Sequence, residues 1–75
     1  MQSYDFEVLQ GDETIVAERS VKLRNTRAAW PRIAKLANSN HVAGCLVRVK
    51  DQTGATVILV GTSSARRYFD RADRH

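Results

Sequence analysis

His41 and Cys45 are the two side chains best suited to chemistry in this chain, and they lie four positions apart. Metal binding through such a pair would need more ligands, because a closed zinc site takes four at defined spacings. Cys45 is the only cysteine of the 75 residues. As a nucleophile it would need a base within hydrogen-bond reach and a group to orient that base. Four residues of extended strand span about 13 Å, which puts His41 out of range. The reading that remains is a small, buried apolar side chain at position 45. Gly61-Thr62-Ser63-Ser64 resembles neither a nucleophile elbow nor a phosphate loop, which requires G-x-x-x-x-G-K-[ST]. Ser63 or Ser64 is placed to cap a short terminal helix, although a helix start there could also hold an anion. Asp12, Glu13 and Asp51 fall among turn residues, where carboxylates are solvated. No pair of carboxylates is spaced for general acid–base work. The residue types thus point away from an enzyme, and they call for no cofactor, metal or small-molecule substrate.

Residues 3–8 alternate, with Tyr4, Phe6 and Val8 on one face and Ser3, Asp5 and Glu7 on the other, the period-2 pattern of a half-buried strand. Gln10-Gly11-Asp12-Glu13 supplies a turn, and the β-branched run Thr14-Ile15-Val16 opens a return strand over 14–21. Asn25-Thr26 can cap a helix over about 26–38, in which Ala29, Trp30, Ile33, Leu36 and Ala37 form one apolar stripe. Pro31 either kinks that helix or begins its regular part. Trp30 reads as core, or else as an exposed anchor for a partner. A second hairpin follows, from Cys45–Lys50 through Asp51-Gln52-Thr53-Gly54 to Ala55–Val60. The order is ββαββ, an α+β fold in which one helix lies across one face of a four-stranded sheet. The expected division is a ββαββ domain over residues 1–62 and a basic tail or short helix over 63–75. Its expected core is Tyr4, Phe6, Val8, Ile15, Trp30, Ile33, Leu36, Val47, Val49, Val57 and Leu59.

Charge is segregated along the chain. Residues 1–18 hold five acids and no base, residues 19–50 hold eight bases and no acid, and the formal net charge is +4. If the first and third strands are neighbours, Asp5 and Glu7 meet Arg48 and Lys50 on the open face of the sheet, each cross-strand pair contributing roughly 0.2–1 kcal/mol. This accounts for part of the asymmetry. It does not account for Arg24, Arg27, Arg32 and Lys35, which lie opposite the apolar stripe with no acid among them. Two of these flank the helix N-terminus, where cations oppose the helix dipole by about 0.3–1 kcal/mol. Arg66 and Arg67, with Arg71 and Arg74, make a basic tail, either solvated or available to phosphate. Tyr4 and Phe6 would stack nucleobases only from an open face, and Asp5 and Glu7 beside them repel phosphate.

A core of this size typically yields only about 3–5 kcal/mol of net stability, which favours a partner subunit. One cysteine precludes an internal disulfide and fits a reducing, cytoplasmic setting. No apolar run approaches the ~18–20 residues of a membrane span, and the N-terminus lacks the order of a signal peptide.

The pattern Tyr4-x-Phe6-x-Val8 with Gly11-Asp12, the helix entry Ala28-Ala29-Trp30, and Val47-x-Val49-x-Asp51-x-x-Gly54-x-x-Val57 resembles a group of short alphaproteobacterial proteins, frequent in rhizobia, that form a domain of unknown function. The likeness covers roughly residues 4–62. It implies a ββαββ fold and a bacterial cytoplasmic origin, and it brings no activity and no site residues.

Two functions of different class follow. The first is a non-enzymatic interaction module with a regulatory or adaptor role, binding a second copy of itself or another protein. The second is non-specific binding of a nucleic-acid backbone through Lys22, Arg24, Arg27, Arg32 and Lys35, aided by Arg66 and Arg67.

Overall fold

The computed structural model describes residues 1–39 and 44–64. Strand β1 (Gln2–Gln10) turns through Gly11 and Asp12 into β2 (Glu13–Leu23). A 3-10 turn (Thr26–Ala29) leads directly into helix α1 (Trp30–Ser39). Strands β3 (Cys45–Lys50) and β4 (Thr56–Gly61) complete the sheet, and residues 62–64 enter a helical turn. All strand pairs are antiparallel, in the order β2-β1-β3-β4. The two hairpins therefore join through their first strands, β1 and β3, and leave β2 and β4 as edges.

The helix begins in two stages, for reasons present in its residues. Asn25 caps the 3-10 turn, its side-chain oxygen accepting from the Ala28 amide at 3.0 Å. Pro31 then occupies the second position of α1, where its missing N–H has no intrahelical acceptor to lose. Pro31 thus sits in the first turn of the regular helix, which begins one residue earlier at Trp30. Ala29, Ile33, Leu36 and Ala37 fall on one stripe and are buried against the sheet. They meet Tyr4, Phe6 and Val8 of β1 and Cys45, Val47 and Val49 of β3. Full burial of a side chain such as Phe6 stabilises by about 1.5–3 kcal/mol. Trp30 is half-buried and packs on the rim of this core. The Tyr4 hydroxyl donates to Gln2 Oε1 at 3.1 Å and lies 3.3 Å from Thr26 Oγ1, which ties β1 to the 3-10 turn.

Three expected core residues are exposed. Ile15 is the extra residue of a bulge, since Val8 faces Val16 while Leu9 faces Thr14, and it is 40% exposed. Leu59 is 58% exposed because the register of β4 turns Ile58 and Val60 toward the helix instead, and Val57, 38% exposed, is the extra residue of a bulge between Thr56 and Ile58. Strand β4 is apolar at both parities, so alternation alone does not choose its inner face. Tyr4 and Phe6 lie buried beneath the helix, which removes the base-stacking platform. Cys45 is buried, with its thiol unpaired. His41, Arg66, Arg67 and the rest of the basic tail lie outside the described residues.

Candidate interaction surface

Helix α1 covers one face of the sheet, and the other face carries a charged centre with an apolar flank. Directly opposed residues share a face, and four of them make one rung across all four strands: Ala17, Glu7, Arg48 and Leu59. The next rung holds Thr14, Leu9, Leu46 and Gly61. Gly61 has no side chain to cover Leu46, which is 39% exposed. Leu46 and Leu59, one rung apart on neighbouring strands, form an apolar flank that Val57 extends along β4.

Glu7 occupies the charged centre and is 5% exposed, on the face of the sheet opposite helix α1. Its Oε1 accepts from Arg48 Nε at 2.8 Å, with Arg48 Nη2 also at 2.8 Å and Lys50 Nζ at 3.6 Å. On its other side Oε2 lies 3.8 Å from Arg19 Nη2. These long side chains lie across the carboxylate and shield it from water. Burial pushes the Glu7 pKa up, but the Arg48 hydrogen bond and the Arg48 and Lys50 charges outweigh it and hold the group below its ordinary value. The meeting of acids on β1 with bases on β3 follows the expected adjacency, Asp5 opposite Lys50 and Glu7 opposite Arg48. Asp5, however, is drawn to β2. It accepts from the Ser20 amide at 2.9 Å and lies 3.4 Å from Arg19 Nη1. Arg19 and Ser20 together face the Asp5 position in a second bulge, and Ser20 has φ 57°.

The predicted basic residues do not form one cluster. Lys22 stands opposite Ser3 on the open face and donates to its hydroxyl, so the sheet separates it from the helix layer. Arg32 is engaged on the helix side. Its Nη1 lies 2.8 Å from Glu18 Oε1, and its guanidinium carbon sits 5.9 Å from the centroid of the Phe6 ring. Arg24, Arg27 and Lys35 are exposed and make no ion pair among the described residues. Two open grooves of about 280 and 180 Å3 border α1, and Arg32 and Lys35 line both. Asp51 is a turn residue, as its position implies. It accepts from the Thr53 and Ala55 amides and the Thr53 hydroxyl. The Thr53 hydroxyl bond leads the causes that lower its pKa.

Among the described residues no three His, Cys, Asp or Glu side chains are grouped to hold a metal, and no helix is long and apolar enough to cross a membrane. No family model, curated protein or solved structure matches the chain.

The buried state of Glu7 was not foreseen from the sequence. The signal available was the excess of bases that face it from both neighbouring strands, Arg19 on β2 and Arg48 and Lys50 on β3, which becomes visible only once β1 is known to lie between them.

Proposed function

We propose that this protein is a small self-associating interaction module with an adaptor or regulatory role, acting through its sheet and not through a catalytic centre. The observation that carries this reading is the apolar flank of the open face, where Leu46, Val57 and Leu59 remain exposed on a domain whose core is small. Apolar side chains grouped in this way mark association surfaces, whereas scattered ones carry no such meaning. The unpaired, buried thiol of Cys45 is compatible with a reducing cytoplasm. The likeness to short rhizobial-type ββαββ proteins remains part of this proposal and adds no activity to it. Sedimentation velocity up to about 100 μM, a range that reveals weak association, tests the reading. A concentration-dependent shift toward dimer is expected, and a pure monomer throughout would overturn it.

A second reading rests on one specific observation: Arg24, Arg27 and Lys35 carry exposed charge with no acidic partner among the described residues. Their placement favours contact with a phosphate backbone, which must weaken steeply with salt. Anisotropy of labelled mixed-sequence DNA and RNA at two salt concentrations tests it. Salt-sensitive binding abolished by the triple change Arg24→Glu, Arg27→Glu and Lys35→Glu would support this reading, and absence of binding at low salt would remove it.

A further inference from the structure

The two sheet edges are built differently. Strand β2 carries Glu13, Glu18, Arg19 and Lys22, is interrupted by two bulges and holds Ser20 in the left-handed region. Charges and bulges of this kind are the usual means of keeping an edge from pairing. Strand β4, Thr-Val-Ile-Leu-Val-Gly, carries no charge and no proline, and its single bulge lies near its start, where Val57 is the extra residue. Among the described residues nothing pairs with its outer side. The backbone N–H and C=O groups on that side can be satisfied by water or by another strand.

We propose that β4 pairs antiparallel with β4 of a second copy, about a two-fold axis normal to the sheet, to give a continuous eight-stranded sheet. This inference rests on the self-association proposed above and specifies its site. Three features select this occupant and arrangement. First, a neutral strand can approach its own copy without like-charge repulsion, even though each chain carries a net charge of +4. Second, stacking two copies through their open faces would oppose two net-positive surfaces, since Arg19, Lys22, Arg48 and Lys50 outnumber Asp5 and Glu7 there. Third, an axis normal to the sheet keeps both helices on one side, so facing residues must share parity. A two-fold through Ile58 meets that condition. It sets Val57 and Leu59 of one copy beside those of the other, on the open face, where each chain alone leaves them exposed.

The test uses the full chain. Val57→Lys and Leu59→Lys, each at an exposed site, should weaken the dimer more than about tenfold by setting two like charges diagonally across the two-fold and removing an apolar contact. Ile15→Lys on the opposite edge should leave it unchanged. Circular dichroism verifies that each variant keeps its fold. Ala17 shares a rung with Leu59, so a spin label on Ala17→Cys in a Cys45→Ala background reports the arrangement by dipolar spectroscopy. Seven strand spacings of about 4.8 Å place the two labels on the order of 35 Å apart in the eight-stranded sheet. A dimer with labels within about 20 Å would indicate face stacking or β2 pairing, because stacked sheets lie only ~10 Å apart, and it would overturn the β4 arrangement while leaving self-association standing. A monomer at all concentrations would overturn both. A monomer whose β4 amides become protected only when an extended apolar peptide is added would assign the edge to a different chain.

Discussion

Replacing Arg48 with methionine should destabilise the domain by about 2 kcal/mol, although Arg48 sits on the face opposite helix α1. Its side chain is 31% exposed, while that of Glu7 is 6% exposed. Stripping the partner from a buried charge typically costs about 3–5 kcal/mol. Here Lys50 at 3.6 Å and Arg19 at 3.8 Å remain, and they offset part of that cost. Methionine retains most of the aliphatic cover over the carboxylate, so the loss is mainly electrostatic. For a domain of this size, 2 kcal/mol corresponds to a fall in Tm of roughly 8–16 °C. Urea unfolding followed by circular dichroism, at one fixed protein concentration because association shifts apparent stability, measures the change. The double variant Glu7→Leu with Arg48→Met removes both charges and should return to within about 1 kcal/mol of the parent. A cost below about 0.5 kcal/mol for Arg48→Met alone would mean that Glu7 is solvated by water and not held by Arg48, and the reasoning would fail.

Glu7 also governs the acid limb of stability. Its folded pKa lies below the ordinary value of 4.5, so the unfolded chain takes up the proton first, and the stabilisation present above that value is lost as pH falls through the folded pKa. Glu7→Gln should flatten stability against pH below about 4.5, and an unchanged acid limb in the variant would argue against it. Ser20→Gly should raise stability by about 0.5 kcal/mol, because glycine adopts a φ of 57° without the crowding a β-carbon meets there; a lower unfolding midpoint would contradict this. Ile58→Ala should cost about 2 kcal/mol and Leu59→Ala less than about 0.5 kcal/mol in the monomer, because only Ile58 faces the helix. Equal losses at the two positions in chemical denaturation would refute the register of β4.

The element order was legible because each element carries its own period. Tyr4, Phe6 and Val8 alternate with acids, and Ile33, Leu36 and Ala37 recur at helical spacing. The Pro31 ambiguity was resolved by Asn25, whose cap places the first turn upstream and leaves the proline at a position that tolerates it. What the sequence did not disclose depends on neighbours distant along the chain. The inner face of β4 follows from its pairing with Val47 and Val49, since every residue from Val57 to Val60 is apolar. Ile15 is turned outward by a bulge whose extra residue has no distinguishing chemistry. Of the predicted basic surface, Arg32 is paired with Glu18 and Lys22 stands beside Ser3, residues remote in sequence. Among the described residues, Arg24, Arg27 and Lys35 keep exposed charge with no acidic partner, as does Lys22 on the open face of the sheet.

The buried carboxylate of Glu7 bears on how faithfully the chain folds. It sits between Phe6 and Val8, the two innermost residues of the central strand β1. If β1 slipped by one residue against either neighbour, side chains would exchange faces, and Glu7 would be driven under the helix away from Arg48, Lys50 and Arg19. An ionised carboxylate in that apolar layer is costly enough to disfavour the shifted pairing before it can consolidate. Strand β4 would tolerate a shifted alignment on hydrophobicity alone, whereas in β1 the same slip would also carry Asp5 inward and turn Tyr4, Phe6 and Val8 outward. Glu7, with Asp5 two positions before it, thus works as a proofreading device for strand alignment, and its removal would be felt in refolding yield as well as in the stability of the finished domain.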